Sequence, residues 1–224
     1  MNINLGYNFK DENLLKVALT HTSFSHERRE NIENNERLEF LGDAVLELVI
    51  SKHIFTRFGE LSEGELTKLR ASIVCEGSLA KKAREINIGQ NIMLGKGEEI
   101  TGGRERDSIL ADAFEAIIGA IYIDSNDILE AQNFILTKME DIIKEKRYTF
   151  EMNDCKTYLQ EIIQKDSIEP LKYEIINEEG PAHDKVFTVK VTHNNKELGI
   201  GKGKNKKDAE QAAAYKAIKL LEQQ

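Results

Sequence analysis

The chain has 224 residues, of which 40% are apolar and 31% charged, and a net charge of −8 at pH 7. This is room for two domains with real cores. No segment approaches the roughly 20 apolar residues of a bilayer-spanning helix, and the longest candidate, Ala111–Ile123, is broken by Asp112 and Glu115.

The start, MNINLGYNFKDENLL, has neither the basic opening nor the apolar core of a secretory signal. Apolar spacing at Leu14, Leu15, Ala18 and Leu19 then predicts a first helix over Glu12–Leu19, followed by a polar loop. The next helix, NERLEFLGDAVLELV over Asn35–Val49, is unusual. Glu36, Glu39, Asp43 and Glu47 fall within about 80° of one another on its wheel. Leu38, Leu41, Val45, Leu48 and Val49 take the opposite side. Its only basic residue is Arg37, so like charges are not interleaved with cations as on an ordinary surface helix. A bound divalent cation and a solvated acidic face are both open readings of that stripe.

Further helices are expected over Glu65–Val74, Ser78–Ile86, Ser108–Ile123 and Asn126–Lys144, so the part up to Tyr148 reads as all-α. The Gly-rich stretch GKGEEITGG lacks a Gly-Lys-Ser/Thr ending and a leading strand, which makes it a poor phosphate loop and gives no reason to expect a nucleotide cofactor. In SILADAFEAIIGAIY, Asp112 and Glu115 stand three apart on one face of an apolar helix. Carboxylates there need a partner, which is either Arg104 or Arg106 just upstream or a cation. Two helices with two inward carboxylates each, and no His or Cys, suit Mg²⁺ or Mn²⁺ rather than zinc. Such a site generates and orients a nucleophilic water for phosphoryl chemistry. Glu63 and Glu65 are further acids, although either also reads as a first-turn acid favoured by its helix dipole.

The stretch KEKRYTFEMND reads as a linker, and the pattern then changes. A short helix over Tyr158–Gln164 is ended by Pro170, and three strand-like runs follow: LKYEIINEE, KVFTVKVTH and KELGIGKG. His193-Asn194-Asn195 supplies turn chemistry between the last two. An alanine-rich helix closes the chain over Lys206–Leu221, with Ala209, Ala213 and Leu220 on one flank. Residues 153–224 hold twelve basic and twelve acidic side chains, so the whole acidic excess lies upstream. Lys196, Lys202, Lys204, Lys206 and Lys207 nevertheless crowd into twelve residues. Lysines at a helix amino end oppose the macrodipole, whereas a phosphate backbone would explain them. Asn205 can still cap that helix with Asp208 three residues on. Cys75 and Cys155 have neither CxxC spacing nor a nearby His, as expected of reduced cysteines in a cytoplasmic protein.

These motifs together resemble bacterial ribonuclease III over essentially the whole chain. NERLEFLGDAVLELV is similar to the family's signature helix, SILADAFEAIIGAIY to its second acidic motif, and Lys156–Leu221 to its double-stranded-RNA-binding domain. The resemblance implies an all-α endonuclease domain over 1–148 followed by an α+β (α-β-β-β-α) RNA-binding domain over 153–224. It implies a metal site of Glu39, Asp43, Asp112 and Glu115, with Asp43 and Glu115 central to catalysis, Mg²⁺ as cofactor and Mn²⁺ able to replace it. Glu36 and Glu63 match supporting acids, whereas Glu47 matches no catalytic position. Phe40 matches the aromatic at the family's homodimer interface. Contacts to duplex RNA are implied for Thr157, Gln160, Glu161 and Gln164, for Pro181 and His183, and for Lys204, Lys206 and Lys207. Asn205 departs from the Ser often found there, and both cap helices well. The implied activity is hydrolysis of double-stranded RNA to 5′-phosphate and 3′-hydroxyl ends with short 3′ overhangs, in the processing of ribosomal and messenger RNA. A non-cleaving duplex binder with a degenerate nuclease domain is the rival, and retention of all four acids speaks against it.

Overall fold

The computed structural model describes residues 3, 5–28, 32–153, 155–181 and 184–221, in two compact units, Met1–Lys144 and Glu145–Gln224. The first is built from α1 (Glu12–Ala18), α2 (Thr22–Arg28), α3 (Glu36–Arg57), α4 (Glu63–Ile73), α5 (Glu76–Glu85), the short α6 (Ile88–Asn91) and α7 (Lys96–Ile100), a 3-10 turn over Gly103–Glu105, α8 (Asp107–Ser125) and the part up to Lys144 of α9 (Ile128–Asn153). Two sequence readings change. The polar loop after the first helix contains α2, and the expected linker is helical because α9 continues to Asn153. That stretch holds no Pro or Gly, so nothing in it stops a helix already under way.

Helix α8 is the axis of this unit. Ile109, Leu110, Ala111, Ala113, Phe114 and Ala116–Ile121 are all buried, as a helix apolar all round must be. α3 crosses it at an unusually short distance. A Cβ built on Gly42 would stand 1.8 Å from the Glu115 carbonyl oxygen, and one on Gly119 would stand 2.2 Å from that of Leu38. Only glycine on both helices allows the two backbones to meet. Val45, Leu46, Val49 and Ile50 of α3 are buried, but Leu48 is exposed rather than in the core as its sequence spacing suggested. It faces out with Phe40 and Phe55.

The second unit contains α10 (Cys155–Asp166), β1 (Lys172–Glu179), β2 (Val186–His193), β3 (Lys196–Gly203) and α11 (Lys206–Leu221). The strands form an antiparallel sheet in the order β1-β2-β3, the expected α-β-β-β-α arrangement. Asn194 and Asn195 both have positive φ, 50° and 63°, which is the backbone of a two-residue type I′ hairpin. Val189 and Val191 face a core completed by Leu159, Ala209, Ala213 and Ala217. Gly199, Gly201 and Gly203 alternate along β3 against α11, where a Cβ on Gly201 would lie 2.1 Å from the Ala213 amide nitrogen. These glycines are a packing surface. Leu220 is exposed and does not join the alanine flank.

Candidate metal centre and nucleic-acid interface

The α3–α8 crossing carries the acids with it. Glu39 lies on α3 one turn before Gly42, and Asp112 and Glu115 lie on α8 two turns and one turn before Gly119. One carboxylate oxygen from each of Glu39, Asp112 and Glu115 comes within 4.8 Å of the others. All three side chains are half-buried. Asp43 is exposed and stands outside this triad, although its charge bears on two members.

Every carboxyl of the triad resists ionisation. Burial, then the charges of Asp43, Asp112, Glu39 and Glu47, push Glu115 up to about 8. Glu39 is raised by burial and by Asp112, Glu36 and Asp43. Asp112 is raised by burial and Glu76, with His21 acting in the opposite direction. The two upstream arginines do not relieve this, because Arg104 pairs with Glu99 and Arg106 with Glu98. Among the described residues no salt bridge reaches the triad. Three converging hard oxygens without a counter-charge fit a divalent cation.

The supporting acids lie around this centre rather than in it. Glu36 is exposed at the start of α3, with its backbone and carboxylate both held by Asn34. Glu65, not Glu63, forms the capping box with Ser62 on α4. Glu63 accepts from Thr67 Oγ1 at 3.1 Å and lines an open pocket of about 430 Å³ with Ser51, Phe55, Leu61 and Arg70. Glu47 faces Arg70 at 4.0 Å and adds to the field on Glu115, so it contributes to the electrostatics of the site. Phe40 is 79% exposed. Gly95 and Lys96 of the Gly-rich stretch donate their amides to Ser23 Oγ and Glu27, so those groups serve packing. Sequence reading missed His21 and Glu76, since neither lies in an acidic motif.

In the second unit, Thr157, Gln160, Glu161 and Gln164 are exposed along one face of α10, at the i, i+3, i+4, i+7 spacing of a helical stripe. Lys204, Lys206 and Lys207 are exposed around the amino end of α11. Asn205 Oδ1 accepts the Asp208 amide at 2.9 Å, and Asn205 Nδ2 donates to the Asp208 carboxylate at 2.8 Å, so the predicted cap forms. Pro181 is exposed beside Gly180, whose φ of 94° and proximity to the Asp184 carbonyl admit no side chain. His183 lies outside the described residues. Neither cysteine is in a disulfide; Cys75 is exposed and Cys155 buried.

Residues 11–143 match the family model described as ribonuclease-III-like, and residues 155–221 match the double-stranded RNA binding motif. Ribonuclease 3 of Bacillus cereus is 50% identical over 221 residues, spanning 98% of this chain and 89% of the relative. Ribonuclease 3 of Bacillus anthracis aligns with the same identity and extent. Among solved structures, the nuclease domain of ribonuclease III from Campylobacter jejuni, described for flexibility in the region of its dimer formation, is 49% identical with a TM-score of 0.57, covering 61% of this chain and 92% of that one. Dicer from Pichia stipitis aligns over 95% of this chain and 96% of its own at 25% identity and a TM-score of 0.50.

Proposed function

This chain belongs to the ribonuclease III family, and we propose that it is a Mg²⁺-dependent homodimeric endonuclease that hydrolyses double-stranded RNA. The observation that carries the metal reading is the half-buried triad of Glu39, Asp112 and Glu115, raised in pKa and without a cationic partner. Those three carboxylates, with Asp43 beside them, would hold Mg²⁺ or Mn²⁺. When bound, the cation supplies Lewis-acid stabilisation and a water acidic enough to be a nucleophile near neutral pH. Glu36 and Glu63 support the centre from the starts of α3 and α4.

The residues themselves divide the remaining work. Glu115 can hold a proton near neutral pH and release it when positive charge enters, since its acid neighbours and burial set its titration near 8. Asp43, exposed at the rim, is placed to orient the attacking water. Attack at phosphorus breaks the bond to the 3′-oxygen, which leaves a 3′-hydroxyl on one fragment and a 5′-phosphate on the other. The RNA-binding unit supplies the duplex. A-form RNA offers 2′-hydroxyls in a wide minor groove, which the polar stripe of Thr157, Gln160, Glu161 and Gln164 matches; Pro181 and His183 would contact a second minor-groove turn, as the family resemblance implies. Lys204, Lys206 and Lys207 would bind phosphates between the two grooves.

Dimerisation fits the outer face of α3, where Phe40, Leu48 and Phe55 are exposed. A two-fold contact repeats the same patch on both subunits, so Phe40 of one protomer can enter the pocket beside Ser51 and Arg70 of the other. Two centres would then face the two strands and leave short 3′ overhangs. We place the activity in the cytoplasm, on precursors of ribosomal RNA and on structured messages. No helix of the described residues is long and apolar enough to cross a membrane. The test is cleavage of a defined RNA duplex with and without chelator, followed by analysis of both ends. Turnover in chelator would remove the metal reading, and 5′-hydroxyl products would remove the proposed bond broken.

A further inference from the structure

The carboxyl half of α3 gathers cations, although the whole acidic excess lies in this part of the chain. Lys52, His53 and Arg57 of α3 and Gln132 of α9 form the polar wall of an open pocket of about 360 Å³, with Val49 and Leu136 as its apolar wall. No carboxylate lines it. It lies on the α9 side of α3, whereas the pocket beside Ser51 and Arg70 lies on the α4 side. Lys52 stands nine residues beyond Asp43, roughly 14 Å along the helix, so the pocket is separate from the acid triad. Lys52 Nζ donates to Gln132 Oε1 at 3.3 Å and, among the described residues, has no acidic partner. Arg57 Nη1 donates to Glu140 at 3.0 Å and to His53 Nε2 at 3.4 Å. Glu140 also takes Lys144 at 3.1 Å, so one carboxylate is shared by two cations. An arginine only donates, so His53 Nε2 is an acceptor and Nδ1 carries the ring proton. Burial, then the Arg57 charge, holds this imidazole below its usual range, with Glu140 acting in the opposite direction. Charged side chains on a helix surface are ordinarily just solvated, but these converge on one concavity and retain N–H groups without a protein acceptor among the described residues.

We propose that this pocket binds a phosphate group, with Lys52 and Arg57 as its counter-charges and the His53 Nδ1–H and Gln132 amide as neutral donors. Lysine meets phosphate as a point charge and arginine as a planar fork. A cation is repelled by this lining, and the apolar wall is short, so charge selects the ligand more than shape does. The phosphate is carried either by a small free ligand or by an RNA backbone, which share this chemistry. The pocket stands whether or not the triad holds a metal.

Pyrophosphate is titrated into the full-length, metal-free protein carrying ¹⁵N-histidine, against sodium chloride of matched ionic strength. The His53 ring, identified by the signal lost in His53→Gln, reads this pocket apart from the lysines of α11. A saturable shift of that ring and a rise in its pKa are expected, because a bound anion favours the imidazolium. Lys52→Met keeps the stem and removes the charge, and should weaken binding about tenfold or more with the ligand-free unfolding midpoint unchanged. Lys52→Arg should retain most of the affinity. A His53 ring that moves no more than in chloride overturns the proposal, as does equal affinity in Lys52→Met and wild type. Affinity lost equally in Lys52→Arg and Lys52→Met overturns it too and leaves a packing role. A defined RNA duplex then identifies the carrier. Competition between duplex and pyrophosphate at His53, with the log–log salt slope of duplex binding lowered by about one in Lys52→Met, assigns the phosphate to RNA. Simultaneous binding with an unchanged slope assigns it to a free ligand, and either result keeps the site.

Discussion

Four acids bear on Glu115, and its titration near 8 has a consequence for stability. In the unfolded chain the same carboxyl ionises at its ordinary 4.5. Between those values the folded state holds a proton that the unfolded state has lost, so stability falls as pH rises through the window. The penalty is complete above about 8. Glu115→Gln removes it. The metal-free variant should therefore unfold roughly 2–6 °C higher than wild type at pH 8 and show little difference at pH 4.5. Mg²⁺ should raise the wild-type midpoint and leave that of the variant nearly unchanged, while cleavage is abolished and duplex binding persists. Thermal scans at two pH values, with and without Mg²⁺, and a cleavage gel test this. Retained turnover would remove Glu115 from the centre.

At the scale of elements, the site depends on how close two helices can come. Gly42→Ala places a methyl group on the backbone of α8, where neither side can yield by rotating a side chain. A loss of about 3 kcal/mol or more is expected, measurable by urea unfolding, together with loss of cleavage as the acids part. Wild-type stability in this variant would mean that α3 and α8 can separate without cost. The amino end of α11 makes a different prediction. Lys206→Ala with Lys207→Ala should flatten the salt dependence of duplex binding by about one unit of log–log slope per lysine. An unchanged slope would move the phosphate contacts elsewhere. Much of this was legible in the sequence. The acidic stripe of α3, the Asp112–Glu115 pair, the strand alternation of β2 and the limits of α11 all follow from period and capping. The depth of the α3–α8 crossing was not, because a glycine inside a helix reads as a weak point until its partner across the interface is known. The packing role of the stripe at Gly199, Gly201 and Gly203 was hidden for the same reason. Leu48 shows the opposite failure, since an apolar residue on the wheel says nothing about which neighbour covers it.

For the whole molecule, the charge partition separates two tasks. The acidic excess stays with the acid triad, and the RNA-binding unit is neutral overall yet presents its lysines together. A unit with no net positive charge gains little non-specific attraction to polyanions, so recognition should rest on groove shape and 2′-hydroxyls. Duplex RNA should therefore bind at least tenfold more tightly than duplex DNA of equal length at physiological salt, by fluorescence anisotropy. Equal affinities would leave the polar stripe of α10 without its role. The two readings that failed at this scale, a polar loop at α2 and a linker over KEKRYTFEMND, helical as far as Asn153, both came from treating charged sequence as irregular. Charged residues without Pro or Gly are good helix formers when a helix is already nucleated.

With a cation held as proposed, the glycine crossing of α3 and α8 would also make the acid triad a gauge of ionic radius. Oxygens around Mg²⁺ sit at about 2.0–2.1 Å and those around Ca²⁺ at about 2.3–2.6 Å. A wider ion asks the carboxylates to move apart. Side chains can absorb part of that, but Glu39 and Glu115 stand on backbones already in contact, and those backbones set how far the ring of oxygens can be retuned from below. Selection among cations would thus be written into two residues that bear no functional group at all.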